Sequence, residues 1–330
     1  MSLDATILLT VAATLAFLAT YIALPHAIRW EKSKGIVGVD VHKIDKPARA
    51  KTGGVVFASG YFLATLTVAS VNQELANFAL PLFTLALVVL VGLYDDLFNL
   101  RQRVKVLLLF LCGIPLALRL GTQTTINFPV AGAVDFGVLY PILLVPLAVT
   151  VAGNLTNMLA GYNGLEASLG IIAVASIAVA SIIRGEHEAA LMSAPMVFAL
   201  LAFLIFNWYP AKIFPGDAGT LTIGATIATV ALIAGLEIMA VILLAPHLVD
   251  FLLKLVGSRV NGQVPFSQRK IYGDTRLSPQ GHLVPPDYLS LLHVIARARP
   301  MTEKALVQAM LMLELALGMI TIGLAATRLI

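Results

Sequence analysis

The sequence predicts an all-α polytopic membrane protein of about ten transmembrane helices, folded as one domain over residues 1–330. Three observations predict it. Of the 330 residues, 59% are hydrophobic and 12% charged, against about 25% charged in a soluble domain. Apolar runs recur at close to the ~20 residues needed to cross a hydrocarbon core. Positive charge gathers in alternate loops, as the positive-inside rule requires. With a mean hydropathy of +0.91, the composition excludes a soluble enzyme, a disulfide scaffold, a disordered chain and a coiled coil. The single cysteine, Cys112, lies in an apolar run, so neither a disulfide framework nor a zinc site is expected. A net charge of +4 and a pI of about 9.2 reflect loop asymmetry, and no nucleic-acid partner is expected.

Taken in order, the candidate spans are 5–28, 55–71, 78–94, 104–119, 138–152, 165–183, 189–206, 218–235, 237–256 and 305–326. The fourth and fifth are short, and 235–238 makes a tight turn. The first opens with Asp4 and lacks both a basic leader and a small-residue cleavage site, so it is expected to be a retained span. Ten spans put both termini on one side. If that side is outward, all but Arg119, Arg184 and Arg328 of the 22 Lys and Arg residues fall in inward loops. Both termini are therefore expected to be extracytoplasmic, with the chemistry on the cytoplasmic face. The inward stretch 257–304, with its Pro, Gly and basic residues, reads as an inserted ordered element. The outward stretch 120–137 reads as a small hairpin.

Four inward segments carry residues that a plain membrane bundle does not need. At the end of the third span stand Asp95 and Asp96, followed by Asn99, Arg101, Arg103 and Lys105. Carboxylates at a helix C-terminus oppose the macrodipole by about 0.3–1 kcal/mol each, so a cation or a shared proton is expected beside them. Between spans five and six lie Asn154, Asn157, Gly161, Asn163, Gly164 and Glu166. If helix continues through Asn157, the first two amides share a face; as a plain alternative the segment is a cap and turn. Before span eight come Phe206-Asn207-Trp208-Tyr209-Pro210 and Phe214-Pro215-Gly216-Asp217. There Asp217 either caps the helix or, opposite the first two segments, joins a magnesium–phosphate site of one or two carboxylates plus substrate oxygens. The fourth segment, Asp40 to Pro47 and then Gly53-Gly54, offers Lys43 and other cations to a phosphate or an anionic head group.

Together these segments resemble the polyprenyl-phosphate N-acetylhexosamine-1-phosphate transferase superfamily, most nearly its eukaryotic and archaeal dolichyl-phosphate GlcNAc-1-phosphate branch, in the glycosyltransferase 4 group. The resemblance covers spans one to nine in order. It rests on the run Asp95 to Lys105, the run Asn154 to Glu166, and Phe206 to Asp217. It implies that Asn157 and Asp217 ligate Mg²⁺, with Mn²⁺ the alternative ion. Asp95, Asp96, Lys105 and Asn154 form the implied catalytic set, Lys105 binding phosphate. Gly161, Asn163, Glu166 and Phe214 belong to the uridine and diphosphate pocket, and Asp40 and Lys43 to the first loop and the lipid phosphate. The implied reaction joins a UDP-N-acetylhexosamine and a polyprenyl phosphate to give GlcNAc-diphosphate-polyprenol and UMP, the first membrane step of lipid-linked glycan assembly. The implied setting is a prokaryotic, archaeal-type plasma membrane, and a homodimer is the assembly the resemblance admits. One departure stands out: the family's His- and Arg-rich motif after span nine falls on Asn261-Gly262-Gln263, which has no cation, and Arg269 is the expected substitute.

Two rival readings use the same residues differently. An intramembrane aspartyl protease would pair Tyr94-Asp95 with Gly216-Asp217, leaving the asparagine-rich segment without a task. A transporter would use His247 and Asp250, at i and i+3 within span nine, with Glu237 and Glu314 as further intramembrane acids.

Overall fold

The computed structural model describes residues 3–71, 73–129, 132–260, 275–286 and 289–327. Among the described residues the chain is a helical bundle with three two-stranded hairpins. Helix α1 (Leu3–Lys34) runs past its predicted end and carries Arg29, Lys32 and Lys34. A short antiparallel hairpin, β1 (Val37–Val39) with β2 (Ala48–Ala50), follows and leads into α2 (Gly53–Val71). Helix α3 (Leu75–Phe98) ends where Asn99 turns left-handed, φ 54°, and returns its N–H to the Asp95 carbonyl.

The fourth predicted span is two helices, α4 (Gln102–Cys112) and α5 (Ile114–Arg119). Pro115 has no N–H to continue α4, and its ring clashes with a preceding carbonyl, so the helix breaks at Gly113. Residues 120–137 form the expected hairpin, β3 (Thr125–Phe128) and β4 (Gly132–Asp135), in register Thr125↔Asp135. After a π-helical turn, Tyr140–Leu144, comes α6 (Val145–Leu159). It continues through the asparagines, so Asn154 and Asn157 do share one helix.

Then follow α7 (Leu165–Arg184), α8 (His187–Asn207) and α9 (Gly216–Ile233). The ninth predicted span is a bent pair, α10 (Glu237–Leu243) and α11 (Ala245–Val260), with a 60° angle between them. The described part of the inserted stretch holds β5 (Arg276–Leu277), β6 (Leu283–Val284) and α12 (Leu291–Ala298). Helix α13 (Glu303–Thr327) closes the bundle. Among the described residues eight helices are long and apolar enough to cross a membrane, or nine with the bent pair taken as one.

Helix α9 is the core of the bundle, enclosed on nearly every side. It contains no charge after Asp217, and its small residues allow neighbouring backbones to come close, which is how helices associate where lipid and side chains are equally apolar. A Cβ on Gly92 of α3 would lie 2.5 Å from the Ala218 Cα and 2.7 Å from the Asp217 carbonyl oxygen. Only a residue without a side chain permits that approach, and it sets the ends of α3 and α9 side by side.

Candidate active site

The C-terminal ends of α3 and α6 and the N-terminal ends of α4 and α9 meet around one ammonium group. Lys105 Nζ of α4 lies 2.8 Å from Asp95 Oδ2 and 2.8 Å from Asp217 Oδ2. Lys105 is 4% exposed, so only paired carboxylates make its charge tolerable there. Asp95 Oδ1 accepts the Leu100 N–H at 2.5 Å, which engages its second oxygen as well. Asn157 completes the group with its amide turned to suit its neighbours. Its oxygen accepts from Lys105 at 2.6 Å, and its nitrogen donates to Asp217 Oδ1 at 3.1 Å and to Thr220 at 3.0 Å.

Asp96 faces the other way. Its Oδ2 accepts the Ala218 N–H at 3.1 Å, and its Oδ1 lies 3.4 Å from Lys51 Nζ. The residue preceding α9 is Pro215, which has no capping side chain, so Asp96 performs from α3 the task of an N-cap. Gly216, at φ +64°, leaves the space: a Cβ there would lie 2.4 Å from Asp96 Oδ2. Asn154 sits one turn before Asn157, accepting from Gln102 at 3.3 Å and donating to the Thr150 carbonyl at 2.8 Å.

Beside the ammonium cluster opens a cavity of about 400 Å³. Its walls bring together Asp40, Asn157, Gly161, Asn163, Glu166, Phe214 and Asp217 from the predicted set. Asp95, Asp96, Lys105, Asn154 and Lys43 are outside the lining, the first and third joined to it through Asp217. Gly53 and Gly54 donate to the carbonyls of Phe214 and Pro215 at 3.0 and 2.8 Å, and Phe214 donates to Ala50 at 2.8 Å. These bonds fix the loop that carries Phe214 into α9. Gly161 donates to the Glu166 carboxylate, and Asn163 Oδ1 accepts the Ala211 N–H at 2.7 Å.

The cavity also contains residues that the sequence reading passed over. His42 stacks flat on Tyr162, ring centroids 4.4 Å apart. Burial, and then the charge of Lys43, lowers the His42 imidazole to about 4, and burial raises the Tyr162 phenol to about 12. Both are therefore neutral at pH 7. Lys254 and His293 line the wall supplied by α11 and α12. Lys254 donates to the Met158 carbonyl and lies 2.6 Å from Asp250. A lysine in the apolar run of α11, four residues after an aspartate, is the signal that was available for it. His293 had no such signal. Arg269 and Asn261-Gly262-Gln263 lie outside the described residues.

This geometry bears on the rival readings. Asp250 is bound to Lys254 and to the Leu291 N–H at 2.9 Å, so it ties α12 to α11 instead of pairing with His247. Asp95 and Asp217 are hydrogen-bonded to one another as well as to the Lys105 ammonium. What speaks against an aspartyl protease is that the asparagine-rich segment joins this cluster through Asn157, a partner that a carboxylate pair sharing a proton does not need. Among the described residues no group of three or more His, Cys, Asp or Glu could hold a metal. Asn157 and Asp217 still fit a magnesium ion, whose preference is one or two protein oxygens completed by substrate phosphates and water. Their oxygens already face a cation, the Lys105 ammonium.

The family model for glycosyl transferase family 4 matches residues 78–235. That stretch holds Asp95, Lys105, Asn157 and Asp217. A protein of Saccharolobus solfataricus, provisionally named UDP-N-acetylglucosamine–dolichyl-phosphate N-acetylglucosaminephosphotransferase, is 35% identical over 280 residues, 82% of this chain and 85% of its own. The Dictyostelium discoideum protein of the same enzyme name is 24% identical over 336 residues, 88% and 82% of the two chains. A phospho-N-acetylmuramoyl-pentapeptide-transferase of Halalkalibacterium halodurans is 28% identical over 257 residues, 71% and 78%.

Proposed function

The chain belongs to glycosyl transferase family 4, and from that premise we propose that it transfers N-acetylglucosamine-1-phosphate from UDP-GlcNAc to a polyprenyl phosphate of the dolichyl type. The carrying observation is the meeting of Asp95, Lys105, Asn157 and Asp217 at the edge of the 400 Å³ cavity. The 35% identity to a protein given that enzyme name supports the same donor and acceptor.

In this reading the nucleotide sugar occupies the cavity, with the uridine toward Gly161, Asn163 and Phe214. An oxygen of the lipid phosphate attacks the phosphorus that bears the sugar. The bond from that phosphorus to the bridging oxygen breaks, and UMP leaves with the electron pair. Such transfers need positioning and charge neutralisation more than covalent help from the protein. Lys105 supplies one neutralising charge. Asn157 and Asp217 would hold Mg²⁺, which when bound neutralises the diphosphate. Both oxygens of Asp95 are engaged, by Lys105 and by Leu100. That favours a role in orienting Lys105 over one as a nucleophile. A lipid phosphate monoester has its second pKa near 6, so most of it needs no base at pH 7.

The isoprenoid chain has a place to lie. An apolar cavity of about 330 Å³ runs along α6 past Leu147, Val151 and Leu155, against α9 and the bent pair α10–α11. The gathering of Lys and Arg residues in the loops on the side of the site supports a cytoplasmic active face, in an archaeal-type plasma membrane. The product would begin a lipid-linked glycan. The test is UMP release by the purified chain with dolichyl phosphate and Mg²⁺, across UDP-GlcNAc, UDP-GalNAc and UDP-glucose, with EDTA and Asp217→Ala as controls. Metal-dependent release from UDP-GlcNAc that is lost in the variant is the expected result. Release from no donor, with folded protein and lipid present, overturns the reading.

A further inference from the structure

We propose that Lys43 and Glu303 are positioning residues that hold the nucleotide-sugar cavity in shape, and that Lys43 does not meet a lipid phosphate. The inference rests on the proposed function and adds to it a residue, Glu303, that lies outside the family match.

Glu303 is the first residue of α13 and is 3% exposed. One of its oxygens pairs with the Lys43 ammonium, and the other accepts the Asn163 N–H at 2.8 Å. Lys43 also lies 3.3 Å from Asp40, and its ammonium stands 4.4 Å from the centroid of the Tyr209 ring. Asn163 passes the connection on through Ala211. One buried carboxylate thus ties together the loop of residues 40–46, the loop of 160–164 and the loop of 208–215. Each of these supplies part of the cavity wall: Asp40 and His42, Gly161 and Asn163, and Phe214. Neither Lys43 nor Glu303 lines the cavity itself.

Two carboxylates and an aromatic face surround the Lys43 ammonium. A phosphate would have to displace them, and each is a charge-assisted or cation–π contact in a buried setting. The loops it joins have little regular structure of their own, so their order depends on side-chain ties of this kind. Removing the tie should therefore be felt where the donor binds and not where the lipid binds.

The experiment measures kcat and both KM values for the detergent-solubilised full chain, as wild type, Glu303→Leu, Glu303→Gln and Lys43→Met. Calorimetry with UMP is run on the same proteins. Glu303→Leu and Lys43→Met are expected to raise KM for UDP-GlcNAc about tenfold, the loss of one charge-assisted bond. In both, kcat and the lipid KM should stay within about threefold, which a general loss of structure would not produce. Glu303→Gln keeps an acceptor for the Asn163 N–H and is expected to recover most of the difference. If Glu303→Leu does not fold, the comparison of Lys43→Met with Glu303→Gln carries the test. A rise in lipid KM alone in Lys43→Met, or donor KM values that do not change, overturns the proposal. A wild type that binds UMP but releases none from any donor refutes the transferase reading instead, and the positioning role is then read from the UMP affinities.

Discussion

Replacing Gly92 with alanine adds one methyl group where α3 crosses α9. The new Cβ would stand 2.5 Å from the Ala218 Cα, 2.6 Å from its nitrogen and 2.7 Å from the Asp217 carbonyl oxygen. All three are backbone atoms, so no side chain can swing aside. Ordinary contact begins at 3.4 Å, and the two helices must separate by about 0.7–0.9 Å. Asp95 is one turn beyond Gly92, and Asp217 is at the contact itself. The same displacement therefore opens the gap between the two carboxylates that Lys105 bridges. A misplacement near 1 Å costs about 10²-fold in rate, and overpacking of this kind costs about 1–3 kcal/mol of stability. The assay is UMP release at saturating UDP-GlcNAc and lipid phosphate, with thermal unfolding on the same preparation. Gly323→Ala serves as the control, since nothing beyond its own helix backbone lies within 4 Å of the added carbon. Folded Gly92→Ala enzyme within about threefold of the wild-type rate would refute the claim that this crossing sets the site.

Asp217→Asn should leave the fold intact, because Lys105 keeps Asp95, and should lower metal-dependent UMP release by about 10²–10³-fold, as loss of a charge-stabilising group does; steady-state kinetics against Mg²⁺ concentration checks it. Asp96→Ala should lower stability by about 0.5–2 kcal/mol, the worth of an N-cap, with rate and stability falling together; denaturant or thermal unfolding measures the first. His42 titrates near 4 in the folded chain against 6.5 for a free side chain. The unfolded state therefore takes up a proton between those values that the folded state does not. Stability should be full above pH 6.5 and lost on acidification toward pH 4, by up to about 3 kcal/mol, with Asp40, Lys43 and His293 as the nearby charges. A His42→Gln variant whose melting temperature varies with pH in the same way would exclude His42 as the cause.

The spans were legible because a membrane admits few backbone solutions. A run such as 165–183 cannot be other than a helix when every N–H must be satisfied inside the segment. Hydropathy predicts one helix for the fourth span because it does not register where Pro115 removes a donor, and the chain forms two, α4 and α5. The chemistry was legible wherever an ionisable or amide group stood at the end of an apolar run, as with Asp95, Asn157 and Asp217. It was not legible for Glu303, which opens α13 like any acidic first-turn residue and gains its meaning from Lys43, 260 residues earlier. Asp96 shows the reverse: it stands beside Asp95 in sequence, yet alternate sides of the helix end send one to Lys105 and the other to the start of α9.

That division of the two adjacent aspartates explains the charge state of the site. Asp96 has Lys51 and the positive end of α9 for partners, so its charge is neutralised locally and stays out of the cavity. With both carboxylates ionised, Asp95 and Asp217 share the single ammonium of Lys105, which leaves one negative charge in excess. An excess of that sign attracts a cation and repels a free phosphate. Once a divalent ion joins Asn157 and Asp217, as proposed, the same group carries one positive charge in excess, and the diphosphate of the donor is then favoured. Had Asp96 faced the cavity as well, two negative charges would have to be overcome, and the divalent ion would leave the site neutral and indifferent to phosphate.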